Sequence, residues 1–282
     1  MTRTIEGYGA PTTKTIGTIG DRYVDLNTGS VYSCTDVNVK ELDYGFIDIR
    51  AYSAESTEYI WEAVGAASSL KGIIDRSIIE FDFPDGITRI GNYAFANCNK
   101  LCIPKLPDGI EYIGSYAFFN CAMLDWVELP DSVNNIQGYG FSGCSKLALT
   151  KIPDNVTNIS IYGFHMCSKL VIDALPPLIT AVNQYAFYKC EKITISRIHS
   201  GIKTIGAKGF YGCLGLTEMT FDTAKKYTSP SEYTWNITIA SDAFSGCTNL
   251  LTINVPWSEG DVANAPWGAT NATINYDYVA EE

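Results

Sequence analysis

Histidine is nearly missing from this chain: His165 and His199 are the two in 282 residues. Histidine is the usual base beside a cysteine or serine nucleophile and a common zinc ligand. A chain so poor in it has little from which to build a dyad or a metal centre. We therefore expect no enzyme, no cofactor and no metal site. Charge is also thin, at 18% of residues, and the 31 acids outnumber the 20 bases to leave a formal charge of −11. An acidic surface repels phosphate backbones, so nucleic acid is not an expected partner. No stretch approaches the roughly 18 apolar residues of a spanning helix, so no membrane insertion is expected. The opening MTRTIEGYGAPTTKTIG lacks the continuous apolar core of a secretory leader, and the closing NYDYVAEE lacks an anchor motif. The expectation is a chain that stays soluble until it is assembled into something larger.

What the sequence has in abundance is repetition, the first thing to settle in any fold argument. Cys98, Cys121, Cys144, Cys167, Cys190 and Cys213 follow one another at 23 residues, and Cys247 comes after one period plus 11. Phe95, Phe118, Phe141, Phe164, Phe187, Phe210 and Phe244 keep the same register, three residues earlier. The residue before each Phe is Ala or Gly. Pro84, Pro107, Pro130, Pro153 and Pro176 recur at the same interval, with His199 in the next slot. Aliphatic pairs such as Ile110/Ile113 and Val133/Ile136 follow them.

Each coil reads as a short strand, a Pro-Asp turn, a second short strand, and one turn of helix carrying A/G-F-x-x-C. One such unit cannot bury its own apolar face, but stacked units cover one another. Strand stacking implies about 4.8 Å per coil, and seven coils a rod about 35 Å long. The fold class expected is mainly β with short helical turns.

The recurring cysteines are most simply reduced core residues, since Cys is small, apolar and commonly buried. Disulfides between neighbouring coils are within reach of stacked Cα atoms. Against them stand an odd count of 9 and no secretion signal. Zinc would want short ligand spacings, which only Cys98 and Cys102 offer, and a nucleophilic Cys would want a paired base.

The stretches LPDGIEYIGSYAFFNCAMLDWVELPDSV and IPDNVTNISIYGFHMCSKL resemble the BspA-type leucine-rich repeat, over about residues 75–256. That resemblance implies a right-handed, curved solenoid that binds something, and it brings no catalytic residue. Thr220-Phe221-Asp222 departs from the repeat's L-P-D turn, and an insertion follows. The flank GYGAPTTKTIGTIGDRYVDLNTGSVYSCTDVN, followed by YIWEAV, resembles small N-terminal modules of phage tail and fibre proteins. Within it RYVDL and VYSCT read as a hairpin turning at Asn27-Thr28-Gly29, where Gly29 allows positive φ. A hairpin is marginal alone, so cover from IDIRAYS and EYIWEAV is expected. The C-terminal NVPWSEGDVANAPWGATNATINYDY resembles the closing segment of phage-encoded repeat proteins. There Trp257 and Trp267 would cover the last coil while Pro256 and Pro266 stop further stacking. The expected organisation is a β-rich docking module at 1–65, a short linker at 66–69, the solenoid at 70–256 and a cap at 257–282.

Two surfaces stand out. Tyr93, Tyr116, Tyr139, Tyr162 and Tyr185 lie two residues before each Phe, and the column then switches to Lys208 and Asp242. Five tyrosines in line could form a platform for sugar rings, or could cover the core edge with their hydroxyls wet. The insertion DTAKKYTSPSEYTWN carries Tyr227, Tyr233 and Trp235, and insertions in solenoids often lie on the binding face; a hairpin folded onto the rod is the plainer alternative.

The resemblances imply a phage virion protein, a tail-tip, fibre or exterior component. It would dock on other virion proteins through residues 1–65, as a homo-trimer or a monomer, and present the solenoid to a host-surface glycan or protein. The alternative is a bacterial cell-surface leucine-rich repeat adhesin. A tail-associated hydrolase would need two carboxylates at fixed separation, and nothing marks such a pair.

Overall fold

Residues at a constant interval meet the same neighbours once coils stack, so the period predicts columns of like side chains. The computed structural model describes residues 86–222 and 235–279 in full, with Ile79, Phe81 and Phe83. It also traces the backbone of strands Thr4–Gly7, Arg22–Asp25, Val31–Ser33, Tyr59–Val64, Ala67–Ile73, Lys225–Ser229 and Glu232–Trp235. The molecule is mainly β, and the repeats form a parallel solenoid.

One strand ladder pairs Arg89 with Tyr112, Tyr112 with Asn135 and Asn135 with Asn158, each step one coil. It resumes through Ala181–Val182, Thr204–Ile205 and Thr238–Ile239. A second ladder joins Arg197–Ile198, Glu218–Phe221, Thr252–Asn254 and Thr273–Asn275. The first ladder is interrupted between Ile159 and Ala181 for a visible reason. In the preceding coils the backbone N–H after the strand donates to the isoleucine carbonyl one coil back, as Ser160 does to Ile136 at 2.9 Å. At the interruption the side-chain Nδ2 of Asn183 donates to the Ile159 carbonyl, at 2.7 Å.

Among the described residues there is no α-helix, and the A/G-F-x-x-C segment is instead a string of overlapping turns. Half of its N–H groups bond three residues back, as Ala96 does to Tyr93 (3.1 Å) and Cys98 to Phe95 (3.0 Å). The alternate ones cross to the next coil: Tyr93 to Ser115 (2.8 Å), Phe95 to Ala117 (2.7 Å) and Asn97 to Phe119 (2.6 Å). A closed helix would spend every N–H along its own axis and bind no neighbour. The cost is backbone strain, since Tyr93, Tyr116, Tyr139, Tyr162, Tyr185 and Lys208 all take φ between 52° and 59°. Left-handed backbone costs roughly 1–2 kcal/mol in a residue with a Cβ.

The phenylalanines from Phe95 to Phe244 form one buried stack, with successive centroids 5.1–5.8 Å apart and planes within 9°. The preceding position must be small: a Cβ on Gly163 would lie 2.8 Å from Ile159 Cγ2. The cysteines among the described residues are free and, Cys102 apart, buried. From Cys121 onward each ladder thiol donates one coil back to a phenylalanine carbonyl: Cys121 to Phe95, Cys144 to Phe118 and Cys190 to Phe164 at 3.0 Å, and Cys167 to Phe141 at 3.1 Å. The same carbonyl already accepts the Cys N–H of its own coil, so the thiol engages its second lone pair. Burial pushes the Cys144, Cys167 and Cys190 thiols well up, so they stay protonated.

The ends are closed by different means. Phe81 meets Phe95 edge-on at 4.9 Å, and Phe83 does so at 5.8 Å. The Tyr59–Val64 strand pairs antiparallel with Ala67–Ile73, which pairs parallel with Ile87–Ile90, so both belong to the solenoid's sheet. Residues 67–69 of the expected linker lie within that strand. The hairpin expected further upstream pairs Tyr23 with Tyr32, and Thr4–Gly7 lies parallel beside it. Its turn residues and IDIRAYS lie outside the described residues. At the other end Trp257 and Trp267 are fully buried with centroids 6.1 Å apart, and Phe221 packs on both. The Trp267 carbonyl accepts the Phe244 N–H at 2.9 Å, as the residue before each next Phe does elsewhere. The cap also adds a strand, Thr273–Asn275, to the second ladder.

Candidate functional site

The residue two before each Phe points away from the core because its left-handed backbone turns the chain there. Tyr93, Tyr116, Tyr139, Tyr162 and Tyr185 therefore rise in one column, with centroids 4.8, 4.4, 4.3 and 4.5 Å apart and planes within 8°. Aromatic contacts of this kind contribute about 0.5–1.5 kcal/mol per pair, which offsets much of the backbone strain.

The stack changes what these rings can do. Tyr116, Tyr139 and Tyr162 each have a neighbour on both faces, so a sugar cannot lie on them. What they offer outward is a row of ring edges and hydroxyls at coil spacing. Tyr93 begins the row and is 55% exposed. Partial burial, with Tyr162 and Tyr116 on either side, pushes the Tyr139 phenol up to about 12. The Tyr139 hydroxyl is thus neutral near pH 7, able to donate and accept.

A second column lies beside the first, one residue after each Phe: Phe119, Ser142, His165, Tyr188 and Tyr211. Phe119 meets Tyr116 edge-on at 5.5 Å, and His165 meets Tyr162 at 5.2 Å. His165 stacks on Tyr188 at 4.9 Å, and Tyr188 on Tyr211 at 4.7 Å. Ser142 Oγ lies 3.2 Å from His165 Nδ1. Burial first, then the charge of Lys189, lowers the His165 pKa, so the imidazole is neutral near pH 7. The sequence hides this column because five coils fill it with four residue types. Its signal was the register alone.

The insertion behaves differently. Lys225–Ser229 and Glu232–Trp235 form an antiparallel hairpin with Tyr227 opposite Tyr233. The side chains of Tyr227 and Tyr233 lie outside the described residues. Trp235 is half-buried, donates from Nε1 to Asp261 Oδ2 at 3.0 Å and packs 5.6 Å from Trp257. It fastens the hairpin to the C-terminal cap.

His199 fills the proline slot of its coil structurally. Its Nδ1 accepts the Gly201 N–H at 3.2 Å, which leaves Nε2 to donate to the Pro176 carbonyl at 3.1 Å. Among the described residues no group of three His, Cys, Asp or Glu side chains is arranged to hold a metal ion. No helix there is long and apolar enough to cross a membrane.

Residues 74–194 match the BspA type leucine rich repeat region, in six copies. Among solved structures the chain is similar to a leucine rich cell surface protein from Faecalibacterium prausnitzii. The two share 21% identity with a TM-score of 0.53, over 73% of this chain and 70% of that one. It is similar also to the T. pallidum leucine rich repeat protein, at 24% identity and a TM-score of 0.56, over 71% of this chain and 91% of that one. At these identities the likeness speaks to the fold. No curated protein matches the chain.

Proposed function

Since residues 74–194 carry a BspA type leucine rich repeat region, we propose that the protein is a recognition rod displayed at a bacterial cell surface. It binds through its turn face and carries out no catalysis. The observation that carries this reading is the tyrosine column: a rigid row of hydroxyl-bearing rings at coil spacing. Such a row meets a repeating partner at several weak points, and weak contacts multiply into avidity when many rods share a surface. The buried thiols and the two histidines already have structural partners. The ladder thiols bond to carbonyls, and each histidine meets the preceding coil, His165 at Ser142 and His199 at the Pro176 carbonyl.

The cell-surface setting draws support from the F. prausnitzii protein, which shares the fold and is described as a cell surface protein. A virion setting rests on the likeness of residues 7–38 to phage tail modules. In that reading residues 1–65 dock on other virion proteins, as a homo-trimer, and the same rod faces the host. Antibody labelling separates the two: label on intact bacteria supports the first, and label confined to purified particles overturns it.

Recognition itself is tested with the whole chain, fluorescently tagged, on a glycan array and on intact cells, beside a Tyr116→Asn, Tyr139→Asn variant. Asn tolerates left-handed backbone, so the variant removes the rings and keeps the turn. Binding lost in the variant supports the reading. Equal binding by both proteins, or none by either, overturns it.

A further inference from the structure

The chain is acidic, but its charge is segregated. The turn segments, from four residues before each Phe to six after it, hold Lys100, Lys146, Lys169, Lys189, Lys192 and Lys208, against Glu191 and Asp242 alone. Lys100, Lys146, Lys169 and Lys192 occupy one column, five residues after Phe, and all four are exposed. The face that carries the tyrosines is therefore basic on a molecule whose formal charge is −11.

That basic character gathers where the tyrosine column ends. Lys208 takes the place of the next tyrosine, and its Nζ sits 5.6 Å from the Tyr185 centroid and 5.8 Å from that of Tyr211. Lys189 Nζ lies 5.9 Å from the Tyr188 centroid. Two ammonium groups thus stand beside three tyrosine rings from two adjacent columns. The ion pairs among the described residues are Lys151–Asp154 and Arg197–Asp222, and neither ammonium takes part in them. Asp242, the nearest acid in the column, has its carboxylate held by the backbone N–H of Lys208 at 3.3 Å. Neutral His165, stacked on Tyr188, adds a hydrogen-bonding edge.

We propose that this lysine–tyrosine cluster is a binding site for acidic sugars, in which Lys189 and Lys208 hold the carboxylate of a uronic-acid ring. The phenol edges of Tyr185, Tyr188 and Tyr211 meet the sugar hydroxyls. A lysine ammonium serves as a point charge with three donors, and a phenol both donates and accepts. A carboxylate on a polyhydroxylated ring matches that set. The exposed lysine column continues toward the N-terminal coils, so an acidic polysaccharide can follow the rod from this anchor. The site deepens the recognition reading above and rests on it.

The test is a calorimetric titration of the full chain with trigalacturonic acid and with neutral galactotriose, with polyglutamate as a charge control. The wild-type chain is expected to bind trigalacturonate about tenfold or more tightly than galactotriose, as charge-assisted hydrogen bonds exceed neutral ones. A Lys189→Gln, Lys208→Gln variant, checked for an unchanged melting temperature, should lose that difference. Raising the salt on the wild-type chain should erode the same preference without any substitution. Equal affinity for the two sugars, or equal binding by variant and wild type, overturns the site while leaving recognition by the tyrosine row standing. Polyglutamate competing as well as trigalacturonate shows a surface that reads charge alone, and also overturns it. No binding to either sugar, together with an unaffected Tyr116→Asn, Tyr139→Asn variant on cells, overturns both readings.

Discussion

The thiol of Cys144 donates to the carbonyl oxygen of Phe118, 3.0 Å away and one coil back. That bond explains why the repeat asks for cysteine where alanine would fit the space. The carbonyl is buried beyond water, and the thiol is a small side chain that also supplies a donor. Cys144→Ala removes the donor and leaves a small void. We expect a loss of about 1–3 kcal/mol, read as a lower urea midpoint with unchanged slope.

The same burial makes the ladder thiols inert. In the native protein, iodoacetamide should modify Cys102, which is exposed. Cys98, Cys121, Cys144, Cys167, Cys190, Cys213 and Cys247 should react only once the chain is unfolded. Peptide mass mapping after a short native pulse checks this, and early labelling of Cys144 or Cys167 would contradict the buried ladder.

Phe141 lies in the middle of the ring stack, 5.3 Å from Phe118 and 5.4 Å from Phe164. Phe141→Ala should cost about 3–5 kcal/mol. Because coils contact only their neighbours, the loss weakens coupling between the two halves of the rod. A second transition in chemical unfolding is the expected signature, absent from the wild type.

The Tyr139 phenol is pushed up to about 12 by partial burial and by its ring neighbours. Between about 10, where an unfolded tyrosine ionises, and about 12, the folded state holds a proton that the unfolded state has released. Its contribution to stability is therefore complete below about pH 10 and is lost as pH rises through about 12. Spectrophotometric titration at alkaline pH should show tyrosines that ionise late, and Tyr139→Phe should remove one of them.

Left-handed backbone at Tyr162, with φ 57°, ranks substitutions in an unusual order. Tyr162→Asn should be tolerated better than Tyr162→Val by about 1–2 kcal/mol, because a β-branched residue is strained at positive φ. Thermal melts of the two variants give the comparison, and equal melting temperatures would contradict it.

The constant interval made the core legible: Phe, Cys and Leu recur at 23 residues, and the structure buries all three columns. The burial of Trp257 and Trp267 was legible too, because they are large apolar residues just where the repeat ends. The coil geometry was not. A-F-x-x-C has helical spacing, yet the demand of the next coil for N–H donors opens that helix into turns. For the tyrosines the sequence offered two readings, a platform for sugar rings or a cover for the core edge with wet hydroxyls, and the column of identical rings at coil spacing packs against itself as in the second. The second column escaped because Phe119, Ser142, His165, Tyr188 and Tyr211 share a place while spreading it over four residue types. At the N-terminal edge, Gly65-Ala-Ala-Ser-Ser69 has the composition of a joint, while Ala67–Ile73 is a strand of the solenoid's own sheet.

Because each phenylalanine carbonyl is answered by the cysteine of the following coil, every interior repeat presents the same socket upward and the same plug downward. A gene duplication or deletion that adds or removes one whole unit leaves each plug opposite an equivalent socket. The rod can therefore lengthen or shorten during evolution while both end pieces stay unchanged.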